Sequence, residues 1–220
     1  MTTPVDLRDY EHWHDAYDDP ASALSWRLGR VRHHLGAAFD ALPGERTVVS
    51  ACAGDGRDVI GTLAARTDAG RFRVTLVELL PVLAERARTT AAAAGLDRLE
   101  VRERDAGLTE TYAGAVPADV VLLVGVFGNV SDADLRTTVA AAPGLCAPGA
   151  RLLWTRGRDL GTGTAVDNAE VRAWFGDAGF TELAYEEHPD PAAGPAVGVV
   201  RLDGPARPLE AGRQLFTFTR

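Results

Sequence analysis

A chain of 220 residues with 46% hydrophobic and 25% charged residues is long enough to bury a full core in one domain. Its formal charge is −8 and all 23 basic residues are arginine, so an acidic surface disfavours nucleic acid and anionic membrane, both of which select basic patches. The two cysteines, Cys52 and Cys146, belong to no CxxC or Cys/His cluster, so neither a disulfide framework nor a metal site is indicated.

The N-terminal stretch MTTPVDLRDYEHW lacks a basic-then-apolar signal, and the longest apolar run, Val120 to Phe127, is too short to cross a bilayer. A cytoplasmic protein with no membrane partner is expected, and the absence of lysine beside abundant Ala, Gly and Arg points to a high-GC bacterial genome.

Asp6 to Tyr17 reads as a short helix on which Leu7, Tyr10, Trp13, His14 and Tyr17 share an arc of roughly a third of a turn at about 100° per residue. Two readings stand for that face: a lid whose aromatic rings close over a substrate, or a stripe that docks the helix on the core. Asp18-Asp19-Pro20 then offers a cap with proline at the first helical position. Leu24, Leu28, Val31, Leu35, Phe39 and Leu42 form the apolar stripe of a longer helix that ends at Pro43-Gly44. Trp26, Arg30 and His33 lie opposite that stripe, with Arg27 and His34 at its flank. Such charges usually mean a solvated face, but a Trp among them points to cover over a pocket or to a subunit contact, as in a homodimer.

From Thr47 onward strands and helices alternate, the pattern of a doubly wound, mostly parallel sheet. Strands are expected at Val48 to Ala51, Phe72 to Val77, Leu99 to Glu103, Ala118 to Val124 and Ala150 to Thr155, with helices from Asp58 to Ala65 and from Pro81 to Gly95. Ser131-x-x-Asp134 resembles a capping box for the next helix, which Pro143 breaks. Asp167 caps a helix from Asn168 to Ala178, and Phe180 to Glu186, Ala196 to Leu202 and Gln214 to Thr219 are extended. No repeat or linker appears. The expected organisation is one domain over 1–220, with a helical extension at 1–44 and the core at 45–220.

The informative stretch is VVSACAGDGRDV, Val48 to Val59: an apolar strand, a glycine turn, then a helix start. This arrangement aims backbone N–H groups and the positive end of a helix dipole at a polar ligand. A dinucleotide fingerprint needs a third glycine three residues after Gly56, and Val59 stands there, which weakens an NAD reading. Gly54-Asp55-Gly56-Arg57-Asp58 instead resembles motif I of the class I S-adenosylmethionine-dependent methyltransferases. It departs from the family pattern at Ser50, where an acid is usual, and at Cys52, where the first glycine is usual.

The resemblance implies a seven-stranded Rossmann-like sheet and S-adenosylmethionine as cofactor. It also implies site residues just past the strand ends: Ala53, Gly54, Asp55, Gly56 and Asp58 at the turn, Glu78 and Leu79 at the ribose, and Asp105 with the backbone of Ala106 at adenine. Gly125, Val126 and Phe127 occupy the family's motif IV position, with glycines close to the sulfonium, Phe127 packing on the cofactor and Asn129 orienting a substrate. The loop is not the Asn-Pro-Pro-Tyr type of enzymes that methylate exocyclic amines, which together with the acidic charge points to a small-molecule acceptor, methylated at oxygen or nitrogen. Methyl transfer has no obligatory catalytic side chain; for a hydroxyl acceptor His14 is the candidate base, with His188 and Asp15 behind it. Tyr10, Trp13 and Tyr17 are candidate substrate contacts, and Arg156 or Arg158 a fork for a substrate carboxylate. The alternatives are another use of the sulfonium on the same fold, or a non-catalytic protein that binds the cofactor.

Overall fold

The computed structural model describes residues 17, 19–157, 166–190 and 194–219. The expected helix from Asp6 to Tyr17 lies outside them except for Tyr17. The first described helix, α1 (Ala23–Ala41), is capped by Ser22, whose hydroxyl accepts from the Ser25 N–H at 3.0 Å. The expected cap at Asp18-Asp19 is therefore corrected: Asp19 turns the chain by accepting from Ala21 N instead. The buried stripe of α1 is Arg27, Val31, Leu35, Ala38 and Phe39, an i, i+4, i+8 series with an arginine at its head.

Seven strands follow: β1 (Arg46–Ala51), β2 (Phe72–Glu78), β3 (Leu99–Glu103), β4 (Ala118–Leu123), β5 (Cys146–Gly157), β6 (Phe180–Glu187) and β7 (Pro195–Leu202). Between them lie α2 (Arg57–Ala64), α3 (Pro81–Ala93), α4 (Asp132–Ala141) and α5 (Asn168–Asp177). The sheet order is β3-β2-β1-β4-β5-β7-β6, with β1 to β5 parallel and β7 antiparallel to both neighbours. Gln214 to Thr219, expected to be extended, makes single bridges at Gln214 and Phe218 rather than an eighth strand.

Two apolar cores sandwich the sheet. One face packs Val48, Leu76, Leu122 and Leu153 against α1, α2 and α3 through residues such as Val31, Ile60 and Ala87. The other packs Val49, Val121, Leu152 and Trp154 against α4 and α5 through Leu135, Val139 and Phe175. Burial on both faces explains the near-continuous apolar runs of the central strands. The chain winds outward from β1 to β3, then restarts at β4 on the other side, so a crevice opens past the carboxyl ends of β1 and β4.

The polar face of α1 is not simply solvated. Arg30 and His34 both reach Glu186 of β6, at 2.5 and 2.7 Å, and the Trp26 ring meets His188 edge-on at 5.0 Å. Hydrogen bonding to Arg30, with His34 adding to it, holds the Glu186 carboxyl below its ordinary 4.5, whereas burial holds His34 below its ordinary 6.5 despite Glu186. A carboxylate with a depressed folded value contributes stability above its unfolded value and loses it as pH falls through the folded one. The difference in melting temperature between wild type and Glu186→Gln is therefore expected to shrink as pH is lowered below 4.5. A pH-independent difference would show that Glu186 acts through packing alone.

Candidate functional site

The crevice is built around the turn that joins β1 to α2. Cys52, Gly54 and Gly56 have φ of 51°, 59° and 70°, so alternate residues are left-handed and the backbone coils tightly under the helix start. Gly56 is the N-cap of α2 and has no side chain to cap it; Arg57 N donates instead to Asp55 Oδ1 at 3.2 Å and Val59 N to Asp58 Oδ1 at 2.7 Å, so the acids of the turn satisfy the helix start. A methyl group on Gly56 would stand 2.7 Å from Leu76 Cδ1 and 2.8 Å from Ile60 Cδ1, so the position is closed to larger residues.

Glu78, the last residue of β2, is buried and turned toward this loop. One carboxylate oxygen accepts from Gly54 N at 2.7 Å and the other from Leu80 N at 2.9 Å, while Ala53 N donates to Val77 O. Each oxygen keeps a lone pair for a further donor. Beyond β3 the chain makes a second tight turn, in which Gly107 N donates to Asp105 Oδ1 at 2.7 Å and the Tyr112 hydroxyl to Ala106 O at 2.6 Å. Burial, followed by the charges of Glu78 and Asp105, holds the Cys52 thiol well above its ordinary value. The two acids that the sequence singled out thus flank one site. Leu79 and Leu108, beside these acids, leave 58% and 37% of their surface exposed in a chain whose other large apolar residues are mostly buried.

Past β4, Gly125 has φ 78°, and its N–H donates to Thr155 Oγ1 at 2.9 Å. Asn129 Nδ2 donates to Gly125 O at 2.7 Å, which folds this loop on itself. The expected packing of Phe127 on a cofactor is corrected here. Its ring is buried in the α4–α5 core, 6.0 Å from Trp154 and 6.2 Å from Phe175, and Val126 is fully buried too. Phe127→Ala is expected to lower unfolding stability by about 3 to 5 kcal/mol with cofactor affinity nearly unchanged, as chemical denaturation and calorimetry can check. Arg156 is also corrected. Its guanidinium is buried and donates to Asn168 Oδ1 at 3.1 Å and Val166 O at 2.9 Å, so it braces the start of α5 rather than reaching for a substrate.

The residue that the sequence reading placed only at a helix flank is Arg27. It is 7% exposed, and its Nη1 lies 3.8 Å from where a Gly125 Cβ would stand. Its guanidinium bonds the Tyr17 hydroxyl, and the Arg57 guanidinium covers the Tyr17 ring at 4.2 Å while pairing with Asp55 at 2.5 Å. Burial raises the Asp58 carboxyl, with the Val59 N–H and then Arg27 opposing it. Ser50, on the same side of β1 as Val48, has a buried hydroxyl without a hydrogen-bond partner. Arg27, Tyr17 and Asp58 therefore make a polar cluster beside Gly125. The signal for Arg27 was its register: it heads the Val31, Leu35 stripe, where an uncompensated charge is rare. Tyr10, Trp13, His14 and Arg158 lie outside the described residues, and among those described no group of His, Cys, Asp and Glu could hold a metal ion.

No family model and no curated protein matches the chain. Solved structures do. Magnesium protoporphyrin IX methyltransferase from Synechocystis PCC 6803 with bound S-adenosylhomocysteine matches with a TM-score of 0.67 at 15% identity, over 89% of this chain and 94% of that one. The 1,6-didemethyltoxoflavin N1-methyltransferase of Burkholderia thailandensis matches with a TM-score of 0.61 at 19% identity, over 93% and 94%. An O-methyltransferase family protein of the same organism matches with 0.65 at 20%, over 94% of this chain and 61% of that one. Strand order, the glycine turn and these likenesses agree: the chain has the fold of the class I S-adenosylmethionine-dependent methyltransferases.

Proposed function

We propose that the crevice binds S-adenosylmethionine and that the protein transfers its methyl group to a small-molecule acceptor, at oxygen or nitrogen. The observation that carries this reading is the buried Glu78 carboxylate, held by Gly54 N and Leu80 N directly beside the glycine turn. Its free lone pairs accept the two ribose hydroxyls. Asp105 Oδ2 accepts from the adenine amine, since Oδ1 is taken by Gly107 N, and the Ala106 N–H meets the ring nitrogen. Leu79 and Leu108 cover the adenine faces. The methionine end lies along Gly54 and Gly125, where the absence of Cβ atoms permits close approach. Its carboxylate meets Arg27, and the orphaned Ser50 hydroxyl supplies a further polar partner.

When bound, the sulfonium supplies a methyl group already activated for in-line displacement. What remains for this chain is to align the acceptor, exclude water and receive a proton where the acceptor is a hydroxyl. Asn129 stays a candidate through its amide oxygen, its amide nitrogen being committed to Gly125 O. His14 is the proposed base, three residues before Tyr17, whose hydroxyl bonds Arg27 and whose ring is covered by Arg57. The neighbours named for protoporphyrin and toxoflavin substrates, together with the net charge of −8, favour a small acceptor over nucleic acid. No helix among the described residues is long and apolar enough to cross a membrane.

The test is an incubation of the protein with cell extract and methyl-labelled S-adenosylmethionine, read by mass spectrometry. One metabolite is expected to gain the label as S-adenosylhomocysteine accumulates in equal amount. Cofactor binding with no labelled product would contradict methyl transfer and leave a sensor. Label retained on sulfur while the cofactor is consumed would point to a different use of the sulfonium.

A further inference from the structure

Both polar walls of the crevice are turns without regular secondary structure: residues 104–108 after β3 and 124–130 after β4. Neither is fixed by its own backbone ladder, yet Asp105 and Asn129 need fixed positions. A single extended segment, 213–219, touches both. At its start, Arg213 N donates to Thr109 Oγ1 at 3.0 Å, Thr109 N returns a bond to Arg213 O at 3.0 Å, and Leu215 N donates to Gly107 O at 2.7 Å. At its end, Thr219 N donates to Asn129 O at 2.8 Å beside the Val130 to Phe218 bridge.

Between these two anchors the segment is pinned to the body. Leu215 and Phe216 are 3% exposed each, the Thr138 hydroxyl shares its hydrogen between Asp134 O at 2.7 Å and Leu215 O at 3.1 Å, and Thr217 N donates to Asp134 Oδ2 at 3.1 Å. This last bond explains why the capping box of α4 carries Asp in place of Glu. Ser131 Oγ accepts from Asp134 N as a cap should, but the short Asp134 carboxylate serves the segment instead of reaching back. Contact at the Asp105 turn is close enough to forbid a side chain, because a methyl group on Gly107 would stand 2.2 Å from Phe216 O.

We propose that residues 213–219 are a strap that sets the Asp105 turn against the Asn129 loop, which makes Thr109 a positioning residue for recognition of the adenine ring. The inference rests on the cofactor reading above. Thr109 does not touch the ligand. It acts through Gly107 and Asp105, so its loss should blur what Asp105 reads rather than weaken every part of the site.

The experiment is calorimetric titration of S-adenosylhomocysteine and of S-inosylhomocysteine, which lacks the adenine amine, into wild type, Thr109→Val, Thr109→Ser and Gly107→Ala. Wild type is expected to prefer the adenine compound by about tenfold or more, the value of a charge-assisted hydrogen bond. Thr109→Val should lose most of that preference with its melting temperature nearly unchanged, and Thr109→Ser, which keeps the acceptor oxygen, should restore it. Gly107→Ala forces the turn off the strap by contact and should show the same loss, so the comparison survives if Thr109→Val is unstable. Wild-type preference retained in both Thr109→Val and Gly107→Ala overturns the strap while leaving the cofactor reading intact. Equal binding of both compounds by wild type overturns it through Asp105, and no binding of either by wild type defeats the cofactor reading as well.

Discussion

Glu78→Ala should bind S-adenosylhomocysteine about ten- to a hundredfold more weakly than wild type, a loss of about 1.5 to 3 kcal/mol for removing a charged acceptor of paired hydrogen bonds. The side chain is buried and also accepts from Gly54 N and Leu80 N, so its removal leaves both N–H groups without their acceptor and loosens the turn on which the cofactor rests. Both effects lower affinity. Glu78→Gln separates them in part, because an amide keeps the volume but offers one acceptor oxygen where the carboxylate offered two. Its affinity should fall between those of wild type and Glu78→Ala, as calorimetry with a parallel thermal melt would show. Wild-type affinity in a folded Glu78→Ala protein would remove the ribose assignment.

The second large effect is expected at Arg27, and it should be confined to one end of the ligand. If the guanidinium holds the methionine carboxylate, Arg27→Met loses a charge-assisted bond and should weaken S-adenosylhomocysteine by about ten- to a hundredfold. Methylthioadenosine has the nucleoside but no carboxylate. Its affinity should be nearly unaffected by Arg27→Met and strongly reduced by Glu78→Ala, a crossed pattern that general destabilisation does not produce. Arg27→Lys should recover only part of the loss, since an ammonium cannot present the planar fork that also bonds the Tyr17 hydroxyl. Equal weakening of both ligands by Arg27→Met would show that Arg27 matters only as the buried cation near Asp58 and Tyr17.

The parts of this architecture that were legible in the sequence are those set by local chemistry. Near-continuous apolar runs placed the central strands, which are buried on both faces, whereas the partly exposed edge strands β3 and β6 followed from the alternation of strands and helices, and the same reading extended to Gln214 to Thr219, which makes only single bridges. Glycine spacing located the turn, since left-handed φ at Gly54 and Gly56 is a backbone requirement visible as residue type. Glu78 and Asp105 followed from their place just past strand ends.

What was not legible depends on tertiary direction. Phe127 lies between two glycines, Gly125 and Gly128, in a loop expected to face the ligand, but its ring points into the core beside Trp154, and nothing in Gly125-Val126-Phe127-Gly128 encodes that choice. Arg156 looks like a loop arginine until Asn168 and Val166 are seen to absorb its donors. The polar face of α1 looked like a solvated one because its partner, Glu186, lies far along the chain. The strap escaped for the same reason. Gln214 to Thr219 reads as a strand by composition, and only the bonds to Thr109, Gly107 and Asn129 show what it ties together.

The most direct test of the cofactor crevice is calorimetric titration of wild-type protein with S-adenosylhomocysteine and, separately, with NAD. The account predicts saturable one-to-one binding of S-adenosylhomocysteine and no heat from NAD, because Val59 replaces the third glycine that a dinucleotide turn needs. Saturable binding of NAD with no response to S-adenosylhomocysteine would contradict it.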